Sequence, residues 1–231
     1  MAKKSKKKED VKILESPEAL VETVSGFFDN KRNQTMVFSL VGIITAVIIG
    51  FAGYNYYLTS QNEAAQQELF QAQFYFESDS LDLALNGDGN SFGFLEIIED
   101  FSGTKVANLS HFYAGVSYLK LGDFEGATRY LKEFSSDDYL LQARAYSLIG
   151  DAYLEQDDFE NAIEYYKQAC DYKPNESFTP IYLKKLAIAQ EQNGYLGKAA
   201  ASYDIIEKKY PKSTQIHDAK KQKARLEAMT Q

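Results

Sequence analysis

Residues 36–54 read MVFSLVGIITAVIIGFAGY, nineteen residues without one charge, and no other stretch restricts the chain as much. At ~1.5 Å per residue such a helix is roughly 28 Å long, close to the ~30 Å hydrocarbon core of a bilayer. Lys31 and Arg32 stand just before it, and Tyr54, Tyr56 and Tyr57 follow as aromatic groups suited to a membrane interface. A buried core helix would ordinarily be shorter. A cleaved signal peptide could use the small residues at Gly50-Phe51-Ala52, but the apolar run starts after residue 35 and exceeds the usual ~7–15-residue signal core. The sequence therefore predicts an uncleaved single transmembrane helix over 36–57, with the lipid bilayer as a partner.

Charge predicts how that helix is oriented. Residues 1–35 carry eight Lys/Arg and six Asp/Glu, and the rest of the chain carries 17 and 27. The run KKSKKK, with Lys31 and Arg32, loads the N-terminal side with cations, and the next Lys or Arg is Lys105. The positive-inside rule then puts the N-terminus in the cytoplasm and 58–231 across the membrane, which for a bacterial inner membrane is the periplasm. The acidic body argues against nucleic acid as a partner, because phosphate recognition needs clustered cations. Before the span, Ser16 and Pro17 start a helix with Leu20, Val21, Val24, Phe27 and Phe28 on one face. This is either an interfacial or partner-binding helix or a solvated one.

The remainder repeats. In AYSLIGDAYLEQDDFENAIEYYKQACDYKP, residues 145–174, Tyr146, Ile149, Gly150 and Tyr153 pattern a first helix. Phe159, Ala162, Tyr166 and Ala169 pattern a second, and Pro174 closes it. Gly150 and Ala162 are small where two antiparallel helices must cross closely, and the aromatics fill the space beside the crossing. The unit resembles a tetratricopeptide repeat (TPR). It recurs upstream through Gly115, Tyr118, Gly122, Phe124 and Ala127, and downstream through Leu186, Gly194, Leu196, Ala199, Tyr203 and Pro211. Ala127, Ala162 and Ala199 lie 35 and 37 residues apart, near the ~34-residue period of such repeats. Counting back ~34 from Ala127 points to Gly93, which predicts a degenerate first unit with helices over about 62–85 and 92–101. The lysine-rich 213–230 reads as a capping helix. The predicted architecture is all-α. A basic cytoplasmic segment, 1–35, leads into the single transmembrane helix and then a TPR helical solenoid over 58–231, with repeats near 74–107, 108–142, 143–179 and 180–212.

Chemistry-bearing constellations are scarce, so neither an enzyme nor a cofactor or small-molecule substrate is expected. His111 takes a core-facing repeat position and His217 lies on the capping helix, and these are the two histidines. Cys170 is the one cysteine, which excludes an internal disulfide, and no histidine neighbours it in sequence. The acid pairs at 137–138 and 157–158 fall in turns, where Asp is favoured for capping. The run NGDGNS (86–91) looks like a calcium loop, but Ser91 stands where an EF-hand needs glycine and Ile97 where it needs glutamate. It reads instead as a turn whose glycines allow positive φ, with Asn90 or Ser91 capping the next helix.

What remains is recognition. TPR stacks bind peptides on a concave face lined by first helices. Repeat offsets place Leu109, Phe112, Val116 and Leu119 on that face, followed by Arg144, Ser147, Asp151 and Leu154, then Ile181, Lys184 and Ile188. Phe112 and Ser147 occupy positions where carboxylate-clamp repeats carry Lys, and Val116 and Asp151 those where they carry Asn, so no such clamp is expected. A largely apolar groove suits a hydrophobic helix or extended chain, or else the protein's own 58–80 segment with its FQAQFYF aromatics.

The basic segment ending in FFDNKR, one span, and repeats ending in KKYPKS together resemble YfgM-type proteins, with 79–105 looking like the Bacteroidetes-type version. The resemblance implies an ancillary subunit of the SecYEG translocon, acting beside a membrane-anchored PpiD-type periplasmic chaperone. The alternative is a TPR scaffold or assembly factor of another envelope machine, in secretion, gliding or division.

Overall fold

The computed structural model describes residues 31–230 together with Ser25 and Phe28. The lysine run and most of the predicted helix after Ser16 lie outside the described residues. The chain divides into two compact units, Met1–Tyr57 and Leu58–Gln231. All regular structure among the described residues is helical.

Helix α1, Lys31–Glu77, begins in the first unit and ends in the second. It holds a window with a mean hydropathy of 2.4, none of which is buried. By length and composition it can cross a membrane, and a soluble core helix would have its apolar window covered. Phe38, Val47, Ile49 and Phe51 are all exposed. A helix that is apolar all round in this way is matched to lipid rather than to water.

In the second unit, α2 (Leu81–Asn86), α3 (Phe94–Asp100), α4 (Lys105–Leu121), α5 (Phe124–Glu133), α6 (Leu141–Glu155), α7 (Phe159–Asp171), α8 (Thr179–Gln192), α9 (Leu196–Lys209) and α10 (Ile216–Met229) follow in order. From α4 onward each helix packs on the next, and α4 also packs on α6. This is the arrangement of stacked helical hairpins. Side-chain caps set several starts. Thr104 accepts the Ala107 N–H at 3.1 Å, Asp123 the Gly126 N–H at 2.8 Å, and Asp158 the Asn161 N–H at 3.2 Å. Asp138 accepts the N–H groups of Leu140 and Leu141 at 2.8 and 2.9 Å where α6 begins.

The small residues mark the crossings. Ala127, Ala162 and Ala199 are completely buried. A Cβ on Gly115 would lie 2.5 Å from Leu131 Cγ, and one on Gly150 2.7 Å from the Tyr166 ring. Helix α10 closes the stack with Ala219 and Leu226 buried. Four ion pairs tie it down: Lys184–Asp218 at 2.7 Å, Lys223–Asp204 at 2.5 Å, Lys223–Glu207 at 3.2 Å and Arg225–Glu191 at 2.6 Å.

The first repeat departs from the predicted register. Its first helix stops at Glu77 instead of running to about 85. There the Asp79 N–H bonds the Phe76 carbonyl and the Ser80 N–H the Tyr75 carbonyl, with Asp79 left-handed at φ 58°. This is a Schellman ending. The same pair of bonds ends α4 at Gly122, α6 at Asp157 and α8 at Gly194. Counting five residues on from each of these left-handed positions gives Ala84, Ala127, Ala162 and Ala199, and all four are fully buried. Ala84, not Gly93, is therefore the crossing residue of the first repeat. It lies 43 residues before Ala127 because the NGDGNS turn lengthens that repeat beyond the usual ~34.

Candidate partner-binding surfaces

The NGDGNS turn is organised from within. Asp88 Oδ1 accepts the N–H groups of Asn90 and Ser91 at 2.9 and 2.8 Å, and its Oδ2 accepts the Tyr75 hydroxyl at 2.8 Å. These donors hold the Asp88 carboxyl below the usual range, the backbone N–H groups contributing most. The cap of α3 comes from Gly93 and Glu96 rather than from Asn90 or Ser91. A Cβ on Gly93 would lie 2.3 Å from the Leu85 carbonyl oxygen, so the turn is folded tightly back on α2. No cluster of three or more His, Cys, Asp or Glu among the described residues is arranged to hold a metal.

Of the predicted groove positions, Phe112 and Ser147 are buried in the stack and offer no surface to a partner in this arrangement. Phe112 meets Phe134 with ring centroids 5.2 Å apart. Leu109, Val116 and Leu154 are half-buried and lean on three different core clusters, Leu109 on the one that seats Ala65, Leu69 and Ala72 of α1. Asp151 accepts the Tyr166 hydroxyl at 2.7 Å and Lys185 Nζ at 2.6 and 2.8 Å, joining α6, α7 and α8. Lys184 is held by Asp218. Leu119 and Ile188 are half-buried, while Arg144 and Ile181 are exposed. Two of the charges predicted for recognition thus hold neighbouring helices together.

A cleft of about 560 Å³ opens between α5, α6 and α7. Its floor includes Leu131, Phe134 and Ile149, and Lys132, Tyr165 and Tyr172 stand at its walls. Lys132 Nζ donates to the Tyr153 hydroxyl at 2.7 Å and lies 5.1 and 5.6 Å from the Tyr153 and Tyr165 ring centroids. Repeat offsets alone pointed to first-helix positions and missed this cleft. The signal available was the recurrence of Tyr at 146, 165 and 172 around a lysine. A second cleft of about 400 Å³ includes His111, Glu133 and Asn108. His111 Nδ1 is buried without a hydrogen-bond partner, and burial lowers the imidazole pKa, offset in part by Glu133. Cys170 is buried, and burial raises its thiol pKa to about 12, far from nucleophilic range.

Along the second half of α1, Ala65, Leu69 and Ala72 face inward, with Tyr75 and Phe76 packed beside their cluster. Phe70 and Phe74 point the other way, 73% and 55% exposed. The FQAQFYF segment is therefore split between two faces.

Residues 114–177, from the middle of α4 to just past α7, match the tetratricopeptide repeat family. No curated protein matches the chain. Residues 114–177 thus carry TPR-type repeats, a fold that is typically a non-catalytic scaffold for protein–protein contacts, and among the described residues one helix is apolar enough to cross a membrane.

Proposed function

We propose that the chain is a single-pass inner-membrane scaffold, with its N-terminus cytoplasmic and its repeat domain periplasmic, that works at the SecYEG translocon beside a PpiD-type chaperone. In this role it receives emerging chains and passes them to periplasmic folding factors through protein–protein contacts. The observation that carries the reading is the succession along the chain of a helix whose apolar window is wholly unburied and a stack with TPR-type repeats. The cation-rich 1–35 and the absence of any Lys or Arg between 33 and 104 support the orientation. The partner identity follows from the resemblance of the N-terminal segment, span and 79–105 taken together.

Affinity purification of the tagged full-length protein from gently solubilised membranes tests it. Translocon subunits and a membrane-anchored chaperone are the expected co-purifying proteins. Recovery of a secretion, gliding or division complex, with translocon subunits absent, would replace this reading with the alternative scaffold.

A further inference from the structure

The exposed side of α1 within the second unit has a definite pattern. Glu63, Gln67, Phe70, Phe74 and Glu77 recur at spacings of three and four, which places them on one stripe of the helix. The opposite stripe is the buried one, carrying Ala65, Leu69 and Ala72. Two large aromatic side chains left in water opposite the packed stripe of the helix mark an interaction surface, since apolar area of that size gains from being covered.

The surrounding charge says what covers it. Residues 58–104 carry nine Asp/Glu and no Lys/Arg, while 105–231 carry 18 and 17. Nearly all the net negative charge of the unit therefore sits in the segment that holds Phe70 and Phe74. Glu63, Glu77, Asp82, Glu99 and Asp100 are exposed and form no ion pair among the described residues. Asp79 alone in this segment has a cation, Lys120. A second copy of the chain would bring the same acids face to face, which repels. An anionic lipid surface is repelled for the same reason. The chain's own lysine-rich N-terminal segment lies across the membrane on the orientation proposed above.

We propose that the stripe formed by Glu63, Phe70, Phe74 and Glu77 docks a basic amphipathic helix of another protein, its apolar face on the two phenylalanines and its Lys or Arg beside the flanking carboxylates. Helix-on-helix docking of this kind reads anchors spaced by three and four residues, as here. The inference concerns the chemistry of the partner segment and does not depend on which machine supplies it.

The test uses the full-length protein in nanodiscs of zwitterionic lipid and a labelled, roughly 18-residue Leu/Lys amphipathic helix as probe, followed by anisotropy. A Leu/Glu peptide with the same apolar face is the comparison. Wild type should bind the Leu/Lys peptide at least about tenfold more tightly than the Leu/Glu peptide. That preference should weaken as salt rises from about 50 to about 500 mM. Phe70→Ser/Phe74→Ser should reduce Leu/Lys binding by about tenfold or more. Glu63→Lys/Glu77→Lys should shift the preference toward the Leu/Glu peptide. No binding, equal binding of the two peptides, or undiminished binding by the phenylalanine variant at native helix content would each overturn the proposal. Wild-type self-association abolished by the phenylalanine variant would identify a second copy as the occupant and also overturn it. Should the phenylalanine variant lose its helix content, the charge-reversal variant decides, and an unaltered preference there refutes the assignment.

Discussion

At the scale of single residues, the stack depends on atoms that are absent as much as on those present. Gly150 lies under the Tyr166 ring, with 2.7 Å to where a Cβ would be. Gly150→Ala should destabilise the repeat domain by about 1–3 kcal/mol in urea denaturation, the usual cost of overfilling a packed crossing. Gly197→Ala, where a Cβ would meet nothing within 4 Å, should be close to neutral and serves as the control. His111 gives a pH dependence of definite sign. Burial holds its folded pKa below the ordinary value of 6.5. Below about pH 6.5 the unfolded chain therefore takes up a proton that the folded chain resists, and stability falls as pH drops through that window. His111→Phe should flatten this part of the curve in thermal melts at pH 5–7.5, with its midpoint less pH-sensitive than wild type. The crossing residues Ala127, Ala162 and Ala199 were legible because only small residues fit there. The roles of Asp151 and Lys184 were not, since a charged residue at a groove position reads the same whether it meets a ligand or Lys185 and Asp218.

At the scale of elements, the helical hairpins followed from the spacing of Gly, Ala and aromatics, and the first repeat did not. The missed signal was local. Asp79 can take the left-handed ending that glycine supplies at Gly122 and Gly194, and Asp157 does the same in the middle repeat. Asp tolerates that conformation through its short polar side chain, so no glycine marks this ending, and counting one ~34-residue period back from Ala127 lands on Gly93 instead of Ala84. The capping helix carries its own prediction. Leu226 is fully buried, and α10 packs on α9, whose Tyr203 and Ile206 are also buried. Leu226→Ala should cost about 2–5 kcal/mol. Arg225→Ala, at a solvent-exposed ion pair, should cost far less. Equal losses in denaturant titrations would show that the ion pairs, rather than the apolar contact, dock the cap.

At the scale of the whole molecule, the charge distribution makes the proposed orientation measurable. Trypsin added to right-side-out vesicles should leave a membrane-bound fragment that retains everything up to Lys105, because no tryptic site lies between 33 and 104. Inside-out vesicles should instead lose the N-terminal lysines and protect the repeats. The opposite pattern would invert the topology. Each helix from α4 to α10 packs mainly on its neighbours in sequence, which has a consequence for how the protein is made. Contacts that close short loops form quickly and need nothing from the far end of the chain. A hairpin such as α4–α5 has most of its partners within the stretch just synthesised, so ordering can advance repeat by repeat before the later helices are made. When α10 docks, it covers the apolar face of α9 and ends the interval in which that face is open to aggregation.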